Sequence, residues 1–143
     1  DFIWLSYETQ YVNQGIFVYK YPVVEGENMM DLDNIIKNTD EMLKNNVPGM
    51  FENTYMMTSE FARPSIEYLK YKGRDFAELR GFWEVYNDYM GGPFVAHAFY
   101  SKDGKYMFQT RSDRNTVKTP LGAFEEAEIP NDITLVLKGL EEY

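Results

Sequence analysis

"FAELRGFWEVYNDYMGGPFVAHAFYSKDGKYMFQT" (Phe76 to Thr110) decides the fold. Ala77, Leu79, Gly81, Trp83 and Val85 fall at every second position near its start. Glu78, Arg80 and Glu84, with Phe82 and Tyr86, fill the positions between them. Apolar groups at period two are the pattern of an antiparallel strand buried on one face. "PFVAHAFY" is a second strand, and "SKDGK" is a hairpin turn built on Asp103-Gly104. "YMFQT" then pairs back. Turns this short join antiparallel strands, whereas a parallel pair needs a long crossover.

Toward the N-terminus, "SIEYLKYKG" is a strand closed by a turn at "KGRD", and "TYMMTSE" is a short strand interrupted at "FARP". "MMDLDNIIKNTDEMLKNN" changes period. Leu32, Ile35, Ile36, Met42 and Leu43 share one helical face, which predicts a helix over about residues 31–45. Asn28 or Asp31 serves as its cap, and Asp31 and Asp33 suit the positive end of the helix dipole. Pro48 disfavours helix at Val47, and Gly49 permits the turn that follows. "DFIWLSYETQ" and "IFVYKYPVV" are two further strands, joined by a turn centred on Asn13 and Gly15 and ending near Pro22. Beyond Thr110 the polar stretch from Arg111, with acids at Glu125, Glu126 and Glu128, reads as an irregular excursion. "DITLVLKGLEEY" then puts Ile133, Val136, Leu137 and Leu140 on one helical face, weakened by Gly139. The expected architecture is α+β: a largely antiparallel sheet, one long helix packed on a face, and a C-terminal helix.

A length of 143 residues suits a single domain, and 44% hydrophobic content argues against disorder. Aromatic residues make up 17%, which favours strands. The net charge of −9 repels phosphate backbones and anionic lipid, so neither nucleic acid nor docking through a basic patch is expected. No apolar run approaches the ~20 residues of a membrane span. The chain has no cysteine, which excludes disulfides, thiol nucleophiles and cysteine metal sites. It opens on Asp1 rather than Met, as a processed protein or an excised domain would.

Few residues carry chemistry. His97 is the one histidine and sits mid-strand among apolar neighbours, the setting of a packed residue making one hydrogen bond. No Gly-x-Ser-x-Gly elbow supports a hydrolase triad. Glu78 and Glu84 share a strand face but stand roughly 20 Å apart at ~3.3 Å per residue, too far for either glycosidase geometry. Arg80 between them is expected to pair with a neighbouring acid. Asp31, Asp33 and Asp40 lack the spacing of a calcium loop and read as a helix start. The paired methionines Met29, Met30, Met56 and Met57 read as core filling. No pattern calls for a cofactor or metal. Gly91-Gly92-Pro93 is not a phosphate loop, because a strand follows it and lysine is missing. It reads as a bend, with a glycine at positive φ and a proline opening the next strand. Tyr86, Asp88, Tyr89 and Phe94 surround it and, with Arg80 and His97, form the candidate ligand-binding set.

"RGFWEVYNDYMGGPFVAH" (Arg80 to His97) is similar to the Arg-Gly-Leu-Trp … Asp-Phe-Met-Gly-Gly-Pro-Phe-Val-Ser-His segment of a lipoprotein family from Bacteroides-type bacteria, the domain-of-unknown-function family 4837. "GIFVYKYP", the helix, "NNVPG" and "TYMMTSE" fall in the same order. The resemblance spans about residues 1–110 and corresponds to the C-terminal half of such chains. It implies an excised or processed part of a periplasmic or outer-membrane lipoprotein, anchored through a lipidated cysteine upstream. It brings no known activity, so no functional residues are carried over. After Thr110 the family continues with a strand and a basic helix, and this chain departs from that. The expected function is a non-enzymatic cell-envelope domain that binds a protein or glycan partner. The alternative is a carboxylate-dependent glycan hydrolase, or another envelope enzyme, working around His97.

Overall fold

A computed structural model of the chain describes residues 2–8, 13–49, 51–88 and 90–115. They form a seven-stranded antiparallel sheet carrying one long helix: β1 (Phe2–Glu8), β2 (Asn13–Pro22), α1 (Leu32–Asn46), β3 (Met56–Thr58), β4 (Ser65–Tyr71), β5 (Arg74–Val85), β6 (Gly91–Tyr100) and β7 (Tyr106–Asn115). The strand order is β1-β2-β7-β6-β5-β3, with β4 pairing β5 beside β3. The α+β architecture expected from the sequence is the one observed. The expected C-terminal helix and the acids Glu125, Glu126 and Glu128 lie outside the described residues.

Turn chemistry sets the registers. Lys72 (φ 49°) and Gly73 (φ 77°) are both left-handed, which matches a two-residue hairpin to the twist of its strands. That turn pairs Tyr71 with Arg74 and runs the ladder back to Ser65 opposite Arg80. Asn13 and Gly15 do not form the expected turn. They lie in β2 opposite Glu8 and Ser6, and whatever joins β1 to β2 lies outside the described residues.

The helix covers one face of the sheet. Asp31 caps it, its carboxylate accepting from the amides of Asp33 at 3.1 Å and Asn34 at 3.4 Å. Ile35, Thr39 and Leu43, four residues apart, are buried, and Leu32 and Met42 pack against the same core. Ile36 is only half-buried, so the apolar face is narrower than the spacing of aliphatic residues predicts. Opposite the helix stand Phe17, Ala77, Leu79, Trp83, Val85, Phe94, Ala96, Ala98 and Met107. Met29 and Met56 are buried and Met30 packs beside them, so these three fill core as expected, whereas Met57 is half-buried and is not part of that cluster.

A polar knot fixes the helix on the sheet. Thr39 Oγ1 donates to the Ile35 carbonyl at 2.7 Å and meets Tyr19 Oη at 2.8 Å. Gln109 Nε2 donates to Thr39 Oγ1 at 2.8 Å, and Tyr19 Oη donates to Gln109 Oε1. Burial raises the Tyr19 pKa well above the ordinary range, so it stays a donor. At the far end Asp40 accepts from both the amide and the hydroxyl of Thr58, at 2.8 and 2.7 Å, tying the helix to β3.

The stretch after Thr110 corrects the sequence expectation. β7 runs on to Asn115, and Arg111 and Ser112 are fully buried in it. Hydropathy misses this because the pairing of Phe17 with Arg111 and of Ala96 with Arg111 is a backbone matter. The Arg111 guanidinium lies 4.1 Å from the centre of the Phe94 ring. A weakly hydrated, permanently charged plane over an aromatic face is how arginine tolerates such a place.

Candidate functional site

The ladder between β5 and β6 places Glu78 directly opposite His97, on the sheet face away from the helix. His97 Nε2 lies 2.8 Å from Glu78 Oε2, and Arg80 Nε donates to Glu78 Oε1 at 3.1 Å. Both carboxylate oxygens are therefore engaged. Desolvation raises the Glu78 pKa, but the bonds from His97 and Arg80 outweigh it and the net shift is down. Burial lowers the His97 pKa and prevails over the upward pull of Glu78. At neutral pH the pair is a carboxylate and a neutral imidazole whose proton sits on Nε2. Nδ1 is then an acceptor. It makes no hydrogen bond among the described residues, and neither do the hydroxyls of Thr110, across from His97, and Ser112.

The structure does not gather the rest of the candidate set around this triad. Phe94 is buried on the helix side, because three residues along a strand reverse the face relative to His97. Tyr86 is half-exposed beyond the end of β5, stacked on Tyr55 with ring centres 5.1 Å apart. Its amide donates to the Tyr55 carbonyl at 2.8 Å, which holds the two rings together. Phe51, 66% exposed, stands four residues before Tyr55. Asp88 is in the turn, its amide donating to the Val85 carbonyl at 3.2 Å. Tyr89 lies outside the described residues.

Gly91-Gly92-Pro93 is not the turn either. The three residues open β6, buried and paired with Glu84, Trp83 and Phe82, and neither glycine has positive φ. Asn87 (φ 62°) takes the left-handed conformation instead, a role asparagine fills with little strain. Pro93 costs no bond to β5. The Phe82 carbonyl accepts from Ser59 on the β3 side, so the Phe82–Pro93 pair is a non-hydrogen-bonded one. Space is tight at Gly81, where a Cβ would stand 3.1 Å from the Phe94 ring and 3.0 Å from Pro64, so a side chain there would have to push these neighbours aside by a few tenths of an ångström.

Three participants escaped the sequence. Tyr55 pairs with Tyr86 through long-range strand alignment, which no local pattern reveals. Arg111 looked like the start of a polar loop. Glu67 stands directly opposite Glu78, on the same face as the His97 triad. That pair was legible in principle, since a two-residue turn at 72–73 fixes 67 against 78. Among the described residues no group of three or more His, Asp or Glu side chains is arranged to hold a metal ion.

The family model described as "Domain of unknown function (DUF4837)" matches residues 1–111. No curated protein matches the sequence. The matched span takes in the helix, every strand through β6 and most of β7, with both the His97 triad and the Tyr55–Tyr86 stack. Most of the chain being so matched, it belongs to the DUF4837 family, whose function is unassigned.

Proposed function

We propose that this is a non-catalytic binding domain of the cell envelope, carried there as part of a lipoprotein, and that its ligand is a protein or a glycan. The envelope placement rests on the likeness to lipoproteins in "RGFWEVYNDYMGGPFVAH". The binding reading rests on one observation: accessible aromatic surface and the acid–base groups are in different places. Tyr86 is 51% exposed on its Tyr55 platform, whereas His97 is 8% exposed and locked to Glu78. Amphipathic rings held rigid at a surface suit stacking on a sugar or seating a partner side chain.

The enzymatic alternative draws support from Glu67 facing Glu78 beside His97. It is the weaker of the two. A glycosidase acid needs a carboxyl raised toward neutrality, and the pKa of Glu78 is lowered with both oxygens occupied. The test is an NMR titration with soluble oligosaccharides, together with co-purification of partners with the full-length protein, on wild type, Tyr86→Ala and His97→Gln. Binding lost in Tyr86→Ala and kept in His97→Gln is the expected outcome. A hydrolytic activity that falls about a hundredfold or more in His97→Gln, with the melt intact, would overturn the proposal.

A further inference from the structure

Strand β4 is bonded to β5 on one side, and among the described residues nothing pairs with its other side. Backbone parity fixes what that edge presents. The Phe82 carbonyl accepts from Ser59 N, and Tyr86 N donates to the Tyr55 carbonyl, both toward β3. Even-numbered residues of β5 therefore turn their polar groups toward β3 and β4. Ser65, Glu67 and Leu69, opposite Arg80, Glu78 and Phe76, form the hydrogen-bonded pairs. Ile66, Tyr68 and Lys70 then aim their N–H and C=O groups outward.

The edge is open in other respects as well. Its register is unbroken over seven residues, without proline or bulge, and the one lysine on it, Lys70, is paired with Asp75 at 3.6 Å. Tyr68 is 61% exposed and Leu69 39%, on opposite faces of the strand. The Tyr68 hydroxyl donates to the Met30 carbonyl at 2.9 Å, which holds β4 against the loop before α1. A strand whose outer edge no described residue pairs, with apolar side chains on both faces, is a template for strand addition.

We propose that the outer edge of β4 takes up an extended segment of a partner protein, apolar with basic residues, as an added antiparallel strand. The inference rests on the binding reading above and narrows the partner to a protein. Charge selects the segment. Glu67 faces Glu78 across the ladder, yet Arg80 and His97 serve Glu78 alone, and Glu67 makes no ion pair among the described residues. A lysine or arginine on the incoming strand beside Glu67 completes the cluster, and the net charge of −9 favours the same sign of partner. A second copy fits less well. It brings another −9, and like charge opposes the pairing.

The probes are capped peptides of seven residues alternating lysine and valine, or glutamate and valine, titrated into the 143-residue chain and followed by amide NMR. The lysine peptide should shift the amides of Ile66, Tyr68 and Lys70 with a Kd of about 1 mM or tighter, and should protect them from hydrogen exchange. The glutamate peptide should bind at least about tenfold more weakly. Lys70→Pro should abolish binding while leaving the melt near wild type, because that N–H is not used by β5 and the side chain is exposed. If that variant misfolds, exchange protection in the wild type decides alone. No shift at several times that concentration, shifts elsewhere, or equal binding of both peptides overturns the proposal. So does a concentration-dependent dimer that Glu67→Gln strengthens, which would assign the edge to a second copy. Oligosaccharide binding at Tyr86 without peptide binding would sink the edge proposal and leave the wider binding reading standing.

Discussion

At the scale of a residue, His97 is the most informative group. Its folded-state pKa lies below the ordinary 6.5, with burial as the first cause. As pH falls through about 6.5, the unfolded chain takes up the proton and the folded one does not, so stability is lost. Glu78 acts in the same direction at lower pH. Its folded pKa is below 4.5, so its contribution is present above 4.5 and disappears as pH falls through the lowered value. His97→Gln should flatten the drop in Tm between about pH 7 and pH 5. Thermal melts of both proteins at several pH values check this. An equal drop in both would mean that His97 is not held neutral by its surroundings. The sequence was enough to expect a packed histidine with one hydrogen bond. It could not supply Glu78 as the partner, because that depends on how two strands align.

At the scale of the element, α1 shows where periodicity succeeds and where it stops. Helix type, N-cap and C-terminal stop were all legible at Asp31, Leu43, Val47 and Pro48. The buried face was not fully legible. Thr39 occupies its centre in place of a hydrocarbon because Tyr19 and Gln109, far away in sequence, supply its partners. Leu43→Ala should therefore cost about 2–5 kcal/mol and Ile36→Ala clearly less, since Ile36 is half-buried. Thr39→Val nearly preserves shape but leaves Gln109 Nε2, a buried donor, without its acceptor, at a cost of about 1–3 kcal/mol. Denaturant unfolding of the three variants gives the ranking. A Thr39→Val variant as stable as wild type would show that Tyr19 and Gln109 satisfy each other.

At the scale of the whole molecule, 23 acidic and 14 basic residues leave a net charge of −9, which opposes contact between copies at neutral pH. Self-association, followed by light scattering, should rise as pH approaches about 4–5, where carboxylates titrate, with circular dichroism separating association from unfolding. Scattering that stays flat through that range would mean that the charge is not what keeps the chain dispersed. The sequence by itself determined the helix α1 and the central part of each strand, the antiparallel connectivity from β4 to β7, and the exclusion of cysteine chemistry. Those properties live in period, turn residues and composition, all of which are local. Tertiary structure alone decided that Arg111 and Ser112 belong to the interior and that Gly91-Gly92-Pro93 opens a strand. It also decided that Phe94 and His97 face opposite ways, that Glu67 and Glu78 stand side by side, and that no described residue pairs with the outer edge of β4. Each follows from which strand lies beside which. That is set by burying the common apolar face under α1, a sum over the whole chain that no single stretch contains.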